Sequence, residues 1–269
     1  LSDTAPPSLP PFSELIAPPA WRRIDFLSDL HLSPDTPKTF EALARHLEET
    51  SAEAVFLLGD IFEVWVGDDG RFAPFERQCV AMLRAASARR RLFFMAGNRD
   101  FLVGDALLAD AGMQGLADPT VLVAFGQRWL LTHGDALCLE DQAYQAFRTQ
   151  VRSPAWQAAV MAKPLEERIA LGRQLRMASK AAHQGKPELW ADLDRAACVH
   201  WLEAADCIGM IHGHTHRPAT HDLTPDEPRA LRRHVLSDWD FDHEPVRGDI
   251  LRLRQAGLRR IDLARCSGD

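Results

Sequence analysis

The chain has 269 residues, 46% of them hydrophobic and 26% charged, a globular composition rather than a disordered or fibrous one. A net charge of −7 argues against a nucleic-acid scaffold, and no apolar run reaches the roughly 18 residues of a membrane-spanning helix. Five cysteines (79, 138, 198, 207 and 266), odd in number and without a C-x-x-C pair, make a disulfide framework unexpected and a reducing compartment the better expectation.

Residues 1–20 carry six prolines and lack the basic and apolar regions of a signal peptide, which predicts a mobile Pro-rich arm. From there strands and helices alternate. "RRIDFLSD" (22–29) reads as a strand, and Thr36-Pro37 opens a helix that runs to Glu49 with Pro at its first position. "AEAVFLLGD" (52–60) is a second strand, followed by a helix around 72–89. "RRRLFFMAGN" (89–98) is a third, followed by a short helix stopping near Gly112. "TVLVAFGQRWLLTHGD" (120–135) predicts a hairpin turning at Gly126-Gln127. "DCIGMIHGH" (206–214), "HVLSDWDF" (234–241) and "RGDILRLRQAGLRRIDLA" (247–264) are further strands, the last with a turn near Ala256-Gly257.

Between Glu140 and Ala205 the strand pattern vanishes and helical segments follow one another, with Pro154, Pro164 and Pro187 at their starts. Residues 142–187 hold eight Lys/Arg against two acids, a net +6 that leaves −13 for the rest of the chain. Such a stretch is either a solvated helical face or a surface for an anionic substrate or membrane. The expected architecture is α/β, with layered mixed β-sheets flanked by helices and an inserted helical cap over residues 140–205. The core then comprises 21–139 and 206–265.

Each buried strand ends in a polar cluster: Asp29-Leu30-His31, Gly59-Asp60, Gly97-Asn98-Arg99-Asp100, His133-Gly134-Asp135 and His214-Thr215-His216. Ligands of open α/β sheets gather at such carboxyl ends. In Asp29/His31 and His214/His216 the i, i+2 spacing turns two side chains to one side of an extended segment. Seven nitrogen and oxygen donors, with no sulfur, suit Mn, Fe or Zn and are too many for one ion. They suit two ions sharing a carboxylate, an arrangement that clamps the oxygens of an in-line phosphoryl displacement.

The pattern D-x-H … G-D … G-N-R-D … H-G-D … G-H-T-H resembles the calcineurin-like metallophosphoesterases from about residue 24 to 240. Within them it is most similar to the family of UDP-2,3-diacylglucosamine hydrolases (pyrophosphatases) of lipid A biosynthesis. The residues that narrow it are "GDIFEVWVGDD" (59–69), "GNRDFLVG" (97–104), "THGDALCLEDQAYQAFRTQVRSP" (132–154), "RMASKAAHQGK" (176–186) and "IHGHTHRP" (211–218). The resemblance implies two Mn²⁺ ions, one held by Asp29, His31, Asp60 and His216. The other would be held by Asp60, Asn98, His133 and His214, with Asp60 bridging. It also implies that water attacks the uridine-side phosphorus of UDP-2,3-diacylglucosamine, giving UMP and 2,3-diacylglucosamine 1-phosphate (lipid X).

Asn98, Arg99 and His214 are the expected catalytic residues. Substrate contacts are expected from them and from Asp141, Arg176, Ser179, Lys180, His183 and Lys186, with His183 standing where the family usually has Asn. Phe147, Val151, Trp156, Val160, Met161, Leu165, Ile169 and Leu175 are candidates to line an acyl chamber or to pack the cap on the sheet. An apolar chamber beside a basic stretch implies a peripheral protein on the cytoplasmic face of the bacterial inner membrane, with no nucleic-acid partner.

Arg99 stands where relatives carry His. A guanidinium is not a general acid, but its planar fork can grip phosphate oxygens. A site without that acid is matched to a leaving group that departs as a stable anion, such as the phosphate of a pyrophosphate. Hydrolases of nucleoside diphosphate-sugars or dinucleoside polyphosphates would suit the same site. A binding scaffold that had lost catalysis would be expected to lack some of the ligands, and none is missing here. Asp100 and Asp135 are expected either to orient the histidine ligands or to form turns.

Overall fold

A computed structural model of the protein describes residues 7–183, 191–225 and 227–264. Two six-stranded mixed sheets pack face to face. The first has the order β1 (Ser13–Ile16), β6 (Thr120–Ala124), β7 (Gln127–Leu131), β8 (Gly209–His212), β10 (Arg232–Val235), β9 (Thr220–Asp222). The second runs β12 (Gly257–Asp262), β11 (Asp249–Arg254), β2 (Ile24–Leu27), β3 (Ala54–Leu58), β4 (Arg91–Met95), β5 (Met113–Leu116). β2, β3, β4 and β5 are parallel, as are β7, β8 and β10, while β11–β12 and β6–β7 are hairpins.

The central strands are covered on both sides, which is why they read as continuous apolar runs rather than alternating ones. Ala54, Phe56 and Leu58 of β3 face the other sheet, where Phe56 stacks on Phe93 with ring centroids 4.5 Å apart. Val55 and Leu57 face the opposite way, onto α1 (Pro37–Glu49), α2 (Pro74–Ser87) and α3 (Asp105–Ala111). Burying each such Leu or Phe stabilises the fold by about 1.5–3 kcal/mol. α1 buries Thr39, Leu43, His46 and Leu47, one helical stripe. Its first turn is capped from afar by Asp242, which accepts from the N–H groups of Lys38 (2.9 Å) and Thr39 (3.0 Å). Gly112, at φ +67°, ends α3.

Between β7 and β8 lie α4 (Gln142–Val151), α5 (Pro154–Met161), α6 (Leu165–His183) and α7 (Arg195–Ala204). Asp141, Ser153 and Asp194 cap the first, second and last of them with side-chain oxygens, and Pro154 takes the first position of α5.

One expectation needs correction. Residues 13–16, placed in a mobile arm, form β1 and pair in parallel with β6, Leu15 facing Leu122. Alternation of exposed and half-buried side chains here is weak, and an edge strand pairs half of its backbone groups with one neighbour and leaves the rest to water.

Candidate metal centre and adjoining cavity

β2, β3 and β4 of one sheet and β7 and β8 of the other deliver their carboxyl ends to one place. There the chain leaves the strand conformation sharply. Asp29, His31, Asp60, His214 and His216 all have φ between +49° and +68°. Left-handed backbone at non-glycine residues costs energy, and here it falls on five of the seven predicted ligands. The backbone ladder nevertheless continues through the bends: Asp29 N–H donates to Gly59 O, His31 N–H to Asp60 O and Leu32 N–H to Ile61 O, at 2.9–3.0 Å.

All seven predicted ligands meet. His31 Nε2 and His216 Nε2 lie 3.3 Å apart, and His216 Nε2 is 3.3 Å from Asp29 Oδ1. Asn98 Oδ1 sits between two imidazoles, 3.0 Å from His133 Nε2 and 2.9 Å from His214 Nδ1. His133 Nε2 is 3.7 Å from Asp60 Oδ1. Two overlapping groups of potential ligand atoms, Asp29–His31–His216 and Asp29–Asp60–His133, each fall within 4.8 Å. Asp29 is the carboxylate common to both groups, and Asp60 lies in the second.

These donors fit divalent cations. Imidazole nitrogens and carboxylate oxygens converge without sulfur, and the tautomer of His133 is set by Leu58 O, 3.0 Å from Nδ1, leaving Nε2 facing inward. Close approach is built in by glycine. A Cβ on Gly97 would collide with the Asp60 carboxylate, and one on Gly213 with Asp29 and Ser28.

Charge is divided unequally among the histidines. Burial disfavours the His133 imidazolium, but Asp60, Asp29 and Asp135 outweigh it and push His133 up to about 9. Burial, with His133 beside it, takes His214 down to about 4. Burial opposes charge on Asp29 too, yet the His216 hydrogen bond and the histidines around it hold its carboxyl far below the usual range. A cation held through His133 Nε2 would have to displace that proton.

Asp100 does not orient a histidine. Its buried carboxylate accepts from the backbone N–H groups of Gly97 (2.7 Å), Ile61 (2.8 Å), Asp60 (3.3 Å) and Phe62 (3.4 Å), clasping the two ligand loops together. Asp135 accepts from the Tyr144 hydroxyl (2.7 Å) and Arg148 Nε (2.8 Å), joining α4 to the end of β7. The Tyr144 ring lies 5.7 Å from that of His214. Tyr144 and Glu63 escaped the sequence reading. Tyr144 is the chain's one tyrosine, the one available signal. Cys138 is buried and its thiol is pushed up well above the ordinary value, which suits a packing residue.

Asn98 and Arg99 also line a cavity of about 310 Å³ between the ligand loops and α4–α6. Trp65, Phe101, Phe147, Trp156, Leu171 and Leu175 make its apolar walls. Of the predicted acyl-chamber residues, Phe147, Trp156, Val160 and Leu175 line it; Val151, Met161, Leu165 and Ile169 do not, and Val151 is buried. Arg99 Nε is buried with no hydrogen-bond partner, a polar atom in need of an anion. Asp141 lines the cavity while capping α4 through Tyr144 N–H at 2.9 Å. Arg176 lines it too and pairs with Glu63. Ser179, Lys180 and His183 belong to the last turns of α6, where only the backbone is described, and Lys186 lies outside the described residues.

The profile of the family described as Calcineurin-like phosphoesterase matches residues 22–218. A curated protein of Bordetella pertussis named UDP-2,3-diacylglucosamine hydrolase is 44% identical, the match covering 91% of this chain and 95% of its own. Proteins of the same name from Xanthomonas oryzae (41% identical, 87% and 96% covered) and Marinobacter nauticus (43% identical, 80% and 88% covered) match as well.

Proposed function

The chain belongs to the calcineurin-like phosphoesterases and, within them, to the UDP-2,3-diacylglucosamine hydrolase family, and from that premise we propose that it hydrolyses the pyrophosphate of UDP-2,3-diacylglucosamine. Water adds to the uridine-side phosphorus, the bond from that phosphorus to the bridging oxygen breaks, and UMP and 2,3-diacylglucosamine 1-phosphate leave. The observation that supports this most strongly is the joining of a convergent donor cluster to an apolar cavity through Asn98, which belongs to both, with Arg99 beside it in the cavity lining.

Asp29, His31, Asp60 and His216 would hold one Mn²⁺, and Asp60, Asn98, His133 and His214 the other. Bound there, the pair supplies an activated water at neutral pH and positive charge for the phosphoryl oxygens. Everything else falls to the chain. Arg99, with a guanidinium nitrogen unpartnered, binds a phosphate oxygen as charge builds in the transition state. It gives no proton, and none is required, because the departing phosphate is a stable anion. Asn98 and His214 fix the attacked phosphoryl group beside it. Trp65, Phe147, Trp156 and their neighbours exclude water and accept acyl chain, while Asp141, Arg176 and the basic end of α6, with Ser179, Lys180, His183 and Lys186, serve the sugar phosphate. The insertion 140–205 is thus the substrate lid on a core of 21–139 and 206–265.

No helix among the described residues is long and apolar enough to cross a membrane. Val64, 40% exposed, and Met177, 71% exposed, stand at or next to the cavity lining. Together with the basic insertion they suit peripheral contact with the anionic cytoplasmic face of the inner membrane. Metal-stripped protein supplied with Mn²⁺ should cleave UDP-2,3-diacylglucosamine and lose that activity to a chelator. It should cleave unacylated UDP-GlcNAc far more slowly. Equal rates on the two would reassign the site to soluble nucleotide sugars.

A further inference from the structure

Glu63 is outside the predicted ligand set, yet it touches both the ligand loops and the helices above them. It follows Asp60 by three residues, and its N–H donates to Leu32 O at 3.1 Å, one residue past His31. Leu32 and Phe62 form an isolated parallel bridge, so the two loops are in fixed register at this point. The carboxylate is thereby carried beside His31, with Oε2 3.1 Å from Nδ1 but off the line of the N–H bond. That nitrogen is buried and has no aligned acceptor.

The other oxygen, Oε1, pairs with Arg176 Nε of α6. The Glu63 side chain is 13% exposed and that of Arg176 51%. Two turns earlier on α6, the buried Arg168 pairs with Asp69 and donates to Val66 O. So α6 is tied at two points to the chain that follows Asp60, and the tie through Glu63 continues to a ligand candidate.

We infer that Glu63 is a positioning residue that couples the seating of α6 to cation binding at the Asp29–His31–His216 group. An imidazole that ligates through Nε2 carries its proton on Nδ1, and an acceptor there fixes the tautomer and ring angle and strengthens the donor nitrogen. With its other oxygen held by the Arg176 guanidinium, Glu63 is the carboxylate within reach of Nδ1, and a small turn of the imidazole as it ligates brings the N–H into line with it. Affinity for the cation therefore rises when α6 is seated, and by linkage the cation favours the seated helix. The inference rests on the metal reading of the site.

Mn²⁺ titration of metal-stripped protein, with free Mn²⁺ followed by electron paramagnetic resonance, tests it without reference to turnover. Wild type should take up two ions. Glu63→Gln should weaken one of them by about 10–100-fold and spare the other. Arg176→Ala, which alters no ligand and a half-exposed side chain, should weaken the same ion by a smaller factor. The double variant should bind no worse than Glu63→Gln, since one chain of contacts is broken twice. Added Mn²⁺ should also slow proteolysis within α6 in wild type and not in Glu63→Gln. A folded Glu63→Gln protein with wild-type affinity would overturn the positioning role. Wild-type affinity in Arg176→Ala would overturn the coupling even if Glu63→Gln failed to fold. Wild type that takes up no Mn²⁺ would overturn the metal reading itself, and the inference with it.

Discussion

Removing the Asp100 carboxylate should open the site without touching a single ligand side chain. Its oxygens accept two short bonds, from Gly97 N–H at 2.7 Å and Ile61 N–H at 2.8 Å, and two long ones, from Asp60 N–H at 3.3 Å and Phe62 N–H at 3.4 Å. All four groups are far from water, and Asp100 itself is fully buried. A short bond to a charged acceptor is worth roughly 1.5–3 kcal/mol, and an orphaned buried N–H costs a similar amount. Counting only the two short bonds, Asp100→Ala should lose about 4 kcal/mol, which for a domain of this size lowers Tm by roughly 8–16 °C. Asp100→Asn keeps one carbonyl oxygen but points an amide N–H₂ at donors, so it should fall between alanine and wild type. Calorimetry of the metal-stripped proteins gives the stability, and Mn²⁺ titration gives the functional consequence, a loss of affinity as the Asp60 and Asn98 loops part. An Asp100→Ala protein within about 2 °C of wild type would refute the clasp, because that shift corresponds to less than one ordinary hydrogen bond.

Arg99→Ala should lower kcat on the pyrophosphate substrate by about 10²–10³-fold with a smaller change in KM, and steady-state kinetics showing an unchanged kcat would remove Arg99 from the transition state. Gly97→Ala drives a Cβ into the Asp60 carboxylate and backbone N, so Mn²⁺ affinity should fall more than tenfold by titration; wild-type affinity would show that the loops yield freely. Asp25 is buried, and burial works against its charge. Arg252, His46 and Thr50 nevertheless bring its carboxyl from 3.8 down to about 2. A depressed carboxyl stabilises the fold above its unfolded value, so about 2 kcal/mol should be lost as pH falls from about 4 to 2. Urea unfolding should show this loss in wild type and not in Asp25→Asn, and equal losses in both would contradict it.

The strands and the convergence of the candidate donors were legible because one physical cause produces both signals. A parallel strand buried on two faces is mostly apolar, with Asp25 of β2 an exception, so the cluster of Asp, Asn or His that follows the run marks its carboxyl end. That logic finds β2, β3, β4, β7 and β8, and with them all seven donors. It finds none of β1, β5 and β9. These are edge strands, each with one strand neighbour and too few apolar residues to form a run. Nor does it find Glu63 or Tyr144, whose partners, His31 and Arg176 for one and Asp135 for the other, lie at sequence separations that only the fold closes. Asp100 was visible as a residue near the site but not as a clasp, since backbone N–H groups leave no mark in a sequence. Arg99 was the reverse case: its chemistry was readable from the side chain alone, and the structure adds the unpartnered nitrogen and the cavity it lines.

Attack of an activated water on the uridine-side phosphorus leaves a mark in the products. Metal-stripped protein incubated with UDP-2,3-diacylglucosamine in ¹⁸O-water, with and without Mn²⁺, tests it in one product analysis by mass spectrometry. UMP should carry ¹⁸O and form only with metal, beside unlabelled 2,3-diacylglucosamine 1-phosphate. Label in the lipid product instead would contradict the direction of attack. No turnover, with an aryl phosphate ester readily cleaved under the same conditions, would contradict the substrate and the role given to Arg99.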